Sequence, residues 1–151
     1  MNELLRQLGA AVGVPNLAVD EKGACSLRID GEVFTFRHEE DRGEIIFVHQ
    51  LAALPSSDSE KLALFTFLLE RNCVFRGVGP GILGISLEDN GVFYAARLAT
   101  AGLAYPDFER YLQAVVDICD SLRGEMIRRM ANRDTGPAYD GKLGFGAMLR
   151  V

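Results

Sequence analysis

The chain has 151 residues, 48% of them hydrophobic and 25% charged, and its net charge is −5. This length suits one domain whose core is large enough to fold without disulfides. The acidic balance argues against partners with phosphate backbones or anionic lipid surfaces. No apolar run approaches the roughly 20 residues of a membrane span. The composition therefore predicts a soluble, cytoplasmic protein that binds no nucleic acid and inserts into no membrane.

The three cysteines, Cys25, Cys73 and Cys119, lie far apart, each within an apolar stripe. They form neither a Cys-x-x-Cys pair nor a cluster with histidine, so the spacing disfavours metal binding and redox chemistry. We expect three reduced, buried thiols.

The first predicted element is a short amphipathic helix. Asn2 is placed as its N-cap, and Gly13 with Pro15 as its stop. Its apolar stripe consists of Leu4, Leu5, Leu8, Ala11 and Val12.

A three-stranded meander is predicted next. Apolar and polar residues alternate over residues 25–29, which is typical of a half-buried strand. The pair Asp30-Gly31 favours a type I′ hairpin turn, because this turn needs positive φ at both central residues. The returning strand carries Phe34 and Phe36 on one face, and a third strand is expected over residues 45–49.

The segment from Ser59 to Phe75 has helical length, but its apolar residues do not stay on one face. A helix that is apolar all round must be buried all round, and one small domain usually covers a single side of it. The pattern therefore predicts a homodimer built around this helix. At 100° per residue the two nearly opposite stripes are Leu62, Phe65, Leu69 and Cys73, and Leu64, Phe67, Leu68 and Phe75.

The second half predicts two strands and a long helix. A glycine-rich segment over residues 76–84 leads into strands at residues 85–87 and 92–98. Pro106 and Asp107 open the final helix, whose single apolar stripe is typical of a helix lying on a sheet.

The predicted element order is α-β-β-β-α-β-β-α. It indicates one α+β domain over residues 1–132, with an antiparallel sheet packed against helices. Residues 133–151 form a C-terminal tail with four glycines and one proline, which preclude a helix, and with several large apolar side chains.

Two groups of residues are candidates for a chemical site. The glycines of residues 77–84 leave a helix and enter a strand, which is the reverse of a phosphate-binding loop. His38 and His49, with the acidic loop of residues 39–44, would make at best a weak metal site, and solvated loop charges are the simpler interpretation. No nucleophile, base and orienting group come together, so we expect no enzyme, no cofactor and no bound metal.

Two segments resemble a known family. Residues 20–27, DEKGACSL, are similar to the turn into the first strand of class I type III secretion chaperones, the Tir chaperone family. The run from Asn72 to Phe75, followed by the glycine-rich connection to Leu87, resembles the end of that family's central helix. The resemblance covers about residues 2–130.

The resemblance implies a small, acidic, cytoplasmic homodimer from a Gram-negative bacterium, without catalytic activity. Such a dimer holds the N-terminal region of a secreted effector in extended form and assists its delivery to the secretion apparatus, with the secretion ATPase as a further candidate partner. The central helix and the late strands would make the dimer contact. The alternative is a small ligand-binding or adaptor α+β domain of unknown partner.

Two sets of residues are predicted to bind protein. The homodimer is expected to bury Leu64, Phe67, Leu68, Val92, Tyr94 and Ala96. The effector is expected to contact Leu5, Leu8, Val12, Leu27, Ile29, Phe34 and Phe36. For the last four of these, coverage by the final helix is the alternative. One hypothesis places the tail, residues 133–151, in an effector groove, so that its deletion would raise effector affinity.

Overall fold

The computed structural model describes residues 1–14 and 17–131. It confirms the α+β class and the predicted element order. The helices are α1 (Asn2–Val12), α2 (Asp58–Asn72) and α3 (Tyr105–Ala131), and the strands are β1 (Ala24–Ile29), β2 (Glu32–Glu39), β3 (Glu44–Ala53), β4 (Gly81–Ser86) and β5 (Gly91–Ala99). Single turns of 3-10 helix follow β2 and α2. The tail, residues 133–151, and Pro15 lie outside the described residues.

Local sequence explains most element boundaries. Asp30 and Gly31 have φ values of 49° and 87°, as the type I′ turn requires. Gly13 ends α1 in the left-handed conformation, as predicted. The Asn2 cap is wrong, because α1 begins at Asn2 itself and Met1 stands at the cap position without a side-chain bond.

The fourth strand begins earlier than the sequence indicated, at Gly81 within the glycine-rich segment. A Cβ atom at Gly81 would lie 2.3 Å from the ring of Tyr94, so only glycine lets the two strands approach here. The glycines thus serve sheet packing as well as the turn that precedes it.

The five strands form one antiparallel sheet in the order β1-β2-β3-β5-β4. The two edges are therefore β1 and β4. A register shift between Gln50 and Ala52 in β3 is the one irregularity of the ladders in the described part of the chain.

All three helices pack on the same face of the sheet, here called the inner face. Its centre is aromatic: Phe36 meets Phe47 edge-on at a centroid distance of 5.3 Å, and Phe108 of α3 lies 6.1 Å from Phe47. Cys25 and Cys119 are buried in this core, but Cys73 is exposed, so the prediction of three buried thiols is wrong for Cys73. Among the described residues no helix is long and apolar enough to cross a membrane.

The opposite face of the sheet, the outer face, carries no helix in the part of the chain that the structure describes. Side chains there alternate with the buried ones and remain exposed or half-buried. Its apolar members include Val33, Ile46, Val48, Ile82, Phe93 and Ala95.

Candidate functional site

Helix α2 has two apolar faces, as predicted, but the inward face is the one that was assigned to the dimer. Leu64 is 2% exposed, and Phe67 and Leu68 are also buried within the single chain. Because these three side chains already pack in the core of their own domain, their assignment to the dimer interface is corrected. Helix α3 covers this face, with Met126 and Met130 lining a small crevice beside Leu64 and Phe67.

Ion pairs join α2 to α3 beside the inward face of α2. Arg71 pairs with Glu125 of α3, and Arg129 of α3 pairs with Glu70 at 2.7 Å. Both guanidinium groups also lie over the ring of Phe67, 5.5 Å and 5.3 Å from its centroid. The two helices are thus joined by ion pairs beside a buried aromatic ring.

The other face of α2, the outer stripe, is uncovered. Leu62 is 69% exposed and Leu69 is 72% exposed, while Phe65 is half-buried and Cys73 exposed. The stripe continues into Val74 and Phe75, which are exposed as well. Single exposed apolar residues are ordinary, but a contiguous row of this kind indicates an interaction surface.

Val74 and Phe75 have unusual backbone conformations. Their φ values are 58° and 53°, in the left-handed region that a β-branched residue such as Val74 rarely adopts. Such positions cost on the order of 1–3 kcal/mol and persist where surrounding contacts hold them. The apolar end of the outer stripe is therefore a strained turn whose side chains point away from the core.

The predicted dimer residues of β5 are buried on the inner face. Val92, Tyr94 and Ala96 lie in the core of the single chain, so their assignment to the interface is corrected as well. The Tyr94 hydroxyl donates a 2.9 Å hydrogen bond to the Val78 carbonyl, and burial raises the pKa of this phenol above its ordinary value. Tyr94 therefore fixes the connection between α2 and β4.

Most of the predicted effector-binding residues are also in the core. Five of them are buried: Leu5 and Leu8 of α1, Leu27 of β1, and Phe34 and Phe36 of β2. For the three strand residues, burial under a helix is the alternative expected from the sequence. Ile29 is half-buried and Val12 is 48% exposed. Contact of an effector with Val12 and Ile29 stays a prediction, and the five buried residues support the surface from beneath.

The two sheet edges differ in how their backbone groups are satisfied. On β4, the side-chain amide of Asn72 donates to the Leu83 carbonyl at 2.8 Å and accepts from the Leu83 N–H at 2.9 Å. These two hydrogen bonds occupy the backbone groups that a neighbouring strand would otherwise bind, so the middle of the β4 edge is closed.

The β1 edge is closed only at its start. The Asp20 carboxylate accepts a hydrogen bond from the Ala24 N–H at 2.9 Å, and the Asp20 N–H donates one to the Ala24 carbonyl at 2.7 Å. Alternate residues of an edge strand face the same way, so Ser26 and Arg28 turn their N–H and C=O groups outward with Ala24. In the described part of the chain these groups meet no hydrogen-bonding partner.

The two histidines are not brought into one site. His49 is 2% exposed; its Nδ1 donates to the Val33 carbonyl at 2.9 Å, and its Nε2 accepts from Arg123 at 2.7 Å. Arg123 also donates to Glu32 at 2.8 Å. Both His49 nitrogens are therefore occupied, and no metal-binding group of side chains occurs among the described residues.

The chain is similar to proteins of one family. The model of the Tir chaperone protein (CesT) family matches residues 3–123. No curated protein matches the chain.

Solved structures share the fold at low sequence identity. The ExsC–ExsE complex gives a TM-score of 0.69 at 21% identity, over 81% of this chain and 90% of the other. The HopA1–SchA chaperone–effector complex gives 0.62 at 16%, over 81% and 91%. The ExoU–SpcU complex of the Pseudomonas aeruginosa type III secretion system gives 0.57 at 20%, over 87% and 95%. With the family model covering most of its length, the chain belongs to the Tir chaperone protein (CesT) family.

Proposed function

We propose that this protein is a homodimeric type III secretion chaperone, acting in the bacterial cytoplasm, that holds the N-terminal segment of a secreted effector in extended form. Its mechanism is binding alone, without catalysis. The observation that carries the proposal is the contrast between the two sheet edges. Asn72 occupies the middle of the β4 edge, whereas the middle of the β1 edge offers the outward backbone groups of Ser26 and Arg28 to an added strand.

An extended effector segment fits the β1 edge by strand addition. The backbone groups of Ser26 and Arg28 would bond to the segment, and alternate side chains of the segment would fall on the inner face beside Ile29. Main-chain bonds of this kind accept many sequences, which suits a protein that receives an unfolded segment. Ordering such a segment costs several kcal/mol, so the contact area must be large.

The outer stripe of α2 supports the homodimer. A second copy would cover Leu62 and Leu69 and would bury the strained turn at Val74 and Phe75. Burial of a large apolar side chain contributes roughly 1.5–3 kcal/mol, so a few such residues from each copy offset the cost of association. The dimer also doubles the number of β1 edges on which one effector segment can lie.

The proposal is tested by co-expression with the proteins encoded beside this gene, followed by pull-down, mass determination and limited proteolysis. The expected result is a complex of two chaperones and one effector, with an N-terminal effector segment protected from protease. A lone dimer that protects no segment of any co-expressed protein would overturn it.

A pair of proline variants then locates the binding edge. Ser26→Pro removes an outward N–H from β1, which an edge strand tolerates, and should weaken effector binding at least tenfold. Ile85→Pro is the matched control, since it makes the same change on the β4 edge. Wild-type affinity for Ser26→Pro, with an unchanged circular dichroism spectrum, would contradict strand addition at β1.

A further inference from the structure

A pocket of about 300 Å³ lies on the outer face of the sheet, where β3, β5 and β4 meet. Its walls are mainly apolar: Val48, Ile82, Ile85, Phe93 and Ala95. Its floor is open at Gly84, because a Cβ atom placed there would have no neighbour within 4 Å. A cavity of about 150 Å³ is large enough for benzene, so this pocket has room for two large apolar side chains.

One end of the pocket is acidic. Ser86 and Asp89 line it, and Asp89 accepts a 2.6 Å hydrogen bond from the Ser86 hydroxyl. Neither Glu88 nor Asp89 takes part in an ion pair within the described residues, and no basic side chain lines the pocket. The chemistry that fits is an apolar segment that carries a positive charge at its side.

The chain itself contains such a segment. Residues 141–151, GKLGFGAMLRV, have two basic side chains, Lys142 and Arg150, and no acidic one. In an extended chain Leu143 and Phe145 point to the same side, because the side-chain period is two. Gly144 and Gly146 alternate with them and carry no side chain, so the segment can lie flat against a sheet.

The connection is long enough to reach the pocket. The described part of α3 reaches Ala131, and the link of residues 132–140 lies between it and the segment. Nine extended residues span roughly 30 Å. A domain of this size has a radius of gyration of about 14 Å, so the link can pass from the helical layer around an edge of the sheet to the outer face.

We propose that residues 141–151 dock on the outer-face pocket of their own chain, with Leu143 and Phe145 in the pocket and the positive charge of the segment attracted by Glu88 and Asp89. The family model ends at residue 123, so this segment is a feature of the chain beyond the matched region. The inference goes beyond the chaperone function and does not depend on a bound effector.

The test uses the full chain with the photo-reactive residue benzoylphenylalanine at position 145. Irradiation followed by peptide mass spectrometry should place the cross-links on peptides that contain Ile82 or Phe93. Mixing isotopically heavy and light protein separates the possible occupants. Links within one chain support the proposal, and heavy–light links would assign the pocket to the tail of a second copy and overturn it.

Two matched pairs of variants sharpen the test. Gly84→Leu adds an apolar side chain at a position where a Cβ atom meets nothing within 4 Å, and it should lower the cross-link yield about tenfold. Ser26→Leu adds the same side chain elsewhere on the outer face and should leave the yield unchanged. Glu88→Lys should also lower the yield, and Glu21→Lys, in a distant acidic loop, should not. Cross-links to α1 or α2, an absence of cross-links, or a yield indifferent to Gly84→Leu would each overturn the proposal.

Discussion

The side-chain amide of Asn72, the last residue of α2, forms two hydrogen bonds with the backbone of Leu83 in the middle of β4. One residue thus joins the end of a helix to the free edge of the sheet. The same pair of bonds occupies the central backbone groups of the β4 edge, which a continuous ladder with a further strand would need. The fold therefore leaves β1 as the edge whose middle is open to an extended partner.

Replacing Asn72 should loosen this edge. Asn72→Ala leaves both backbone groups of Leu83 without their partner, and we expect the free energy of unfolding to fall by about 1–3 kcal/mol. Asn72→Asp keeps the acceptor but sets a carboxylate oxygen against the Leu83 carbonyl, so its loss should be no smaller than that of Asn72→Ala. Urea denaturation measures both losses, and a loss below about 0.5 kcal/mol for Asn72→Ala would contradict a role for the two bonds.

Two aspartate substitutions on opposite faces of α2 separate the core from the dimer contact. Leu69→Asp, on the outer stripe, should yield folded monomers because the charge stays in water. Leu64→Asp should unfold the domain, since a buried unpaired charge in place of a packed leucine costs about 4 kcal/mol or more. Light scattering and circular dichroism give both readouts.

A dimeric Leu69→Asp variant would contradict the outer stripe as the interface. A folded Leu64→Asp variant would contradict the packing of α2 against α3. Leu62 belongs to the same outer stripe, so Leu62→Asp should also yield folded monomers.

Periodicity found both apolar faces of α2 but could not rank them. Leu64 and Leu69 are equally apolar, and the choice depends on how α2 packs against α3, a long-range contact in which, for example, Arg129 and Glu70 are 59 positions apart in the sequence. The sequence pattern therefore predicted a two-sided helix correctly and assigned the wrong side to the partner.

The strands were easier to predict than their exposure. The turn at Asp30-Gly31 and the alternation in β1 are local signals, so the meander was predicted at the right place. Whether Phe34 or Phe36 lines a groove depends on where α1 and α3 pack, which is a long-range contact. The two hydrogen bonds from Asn72 to Leu83 could not be predicted from local sequence, which shows only an asparagine at the end of a helix.

The His49 contact with Arg123 gives a third prediction. Nδ1 of His49 faces a carbonyl and must donate, so Nε2 is the acceptor for Arg123. Arg123→Met keeps much of the side-chain volume but leaves this buried acceptor unpaired, and it should lower the free energy of unfolding by about 1–3 kcal/mol. Arg128→Met, on an exposed position of the same helix, should change it by less than about 0.5 kcal/mol. Similar losses for both variants in urea denaturation would contradict the contact.

The last prediction concerns alkaline pH and the buried thiol of Cys119. Burial raises the pKa of this thiol from 9.0 to about 12. Between these values the unfolded chain releases the proton and the folded chain keeps it, so the folded state binds more protons and stability falls as pH rises. The contribution of Cys119 is complete below about pH 9 and is lost progressively towards pH 12, by at most about 1.4 kcal/mol per pH unit.

Urea denaturation at several pH values between 8 and 11 measures this slope. Cys119→Ala should flatten the decline, although it lowers stability at every pH because it removes core volume. Val115→Ala is the matched control, since it shortens a buried side chain of the same helix without removing a titrating group, and it should keep the wild-type slope. Because Tyr94 is also buried with a raised pKa, some decline should remain in Cys119→Ala, so the comparison depends on the difference between the two variants. Parallel slopes for Cys119→Ala and Val115→Ala would show that the thiol has the same pKa in the folded and unfolded chains and would refute the prediction.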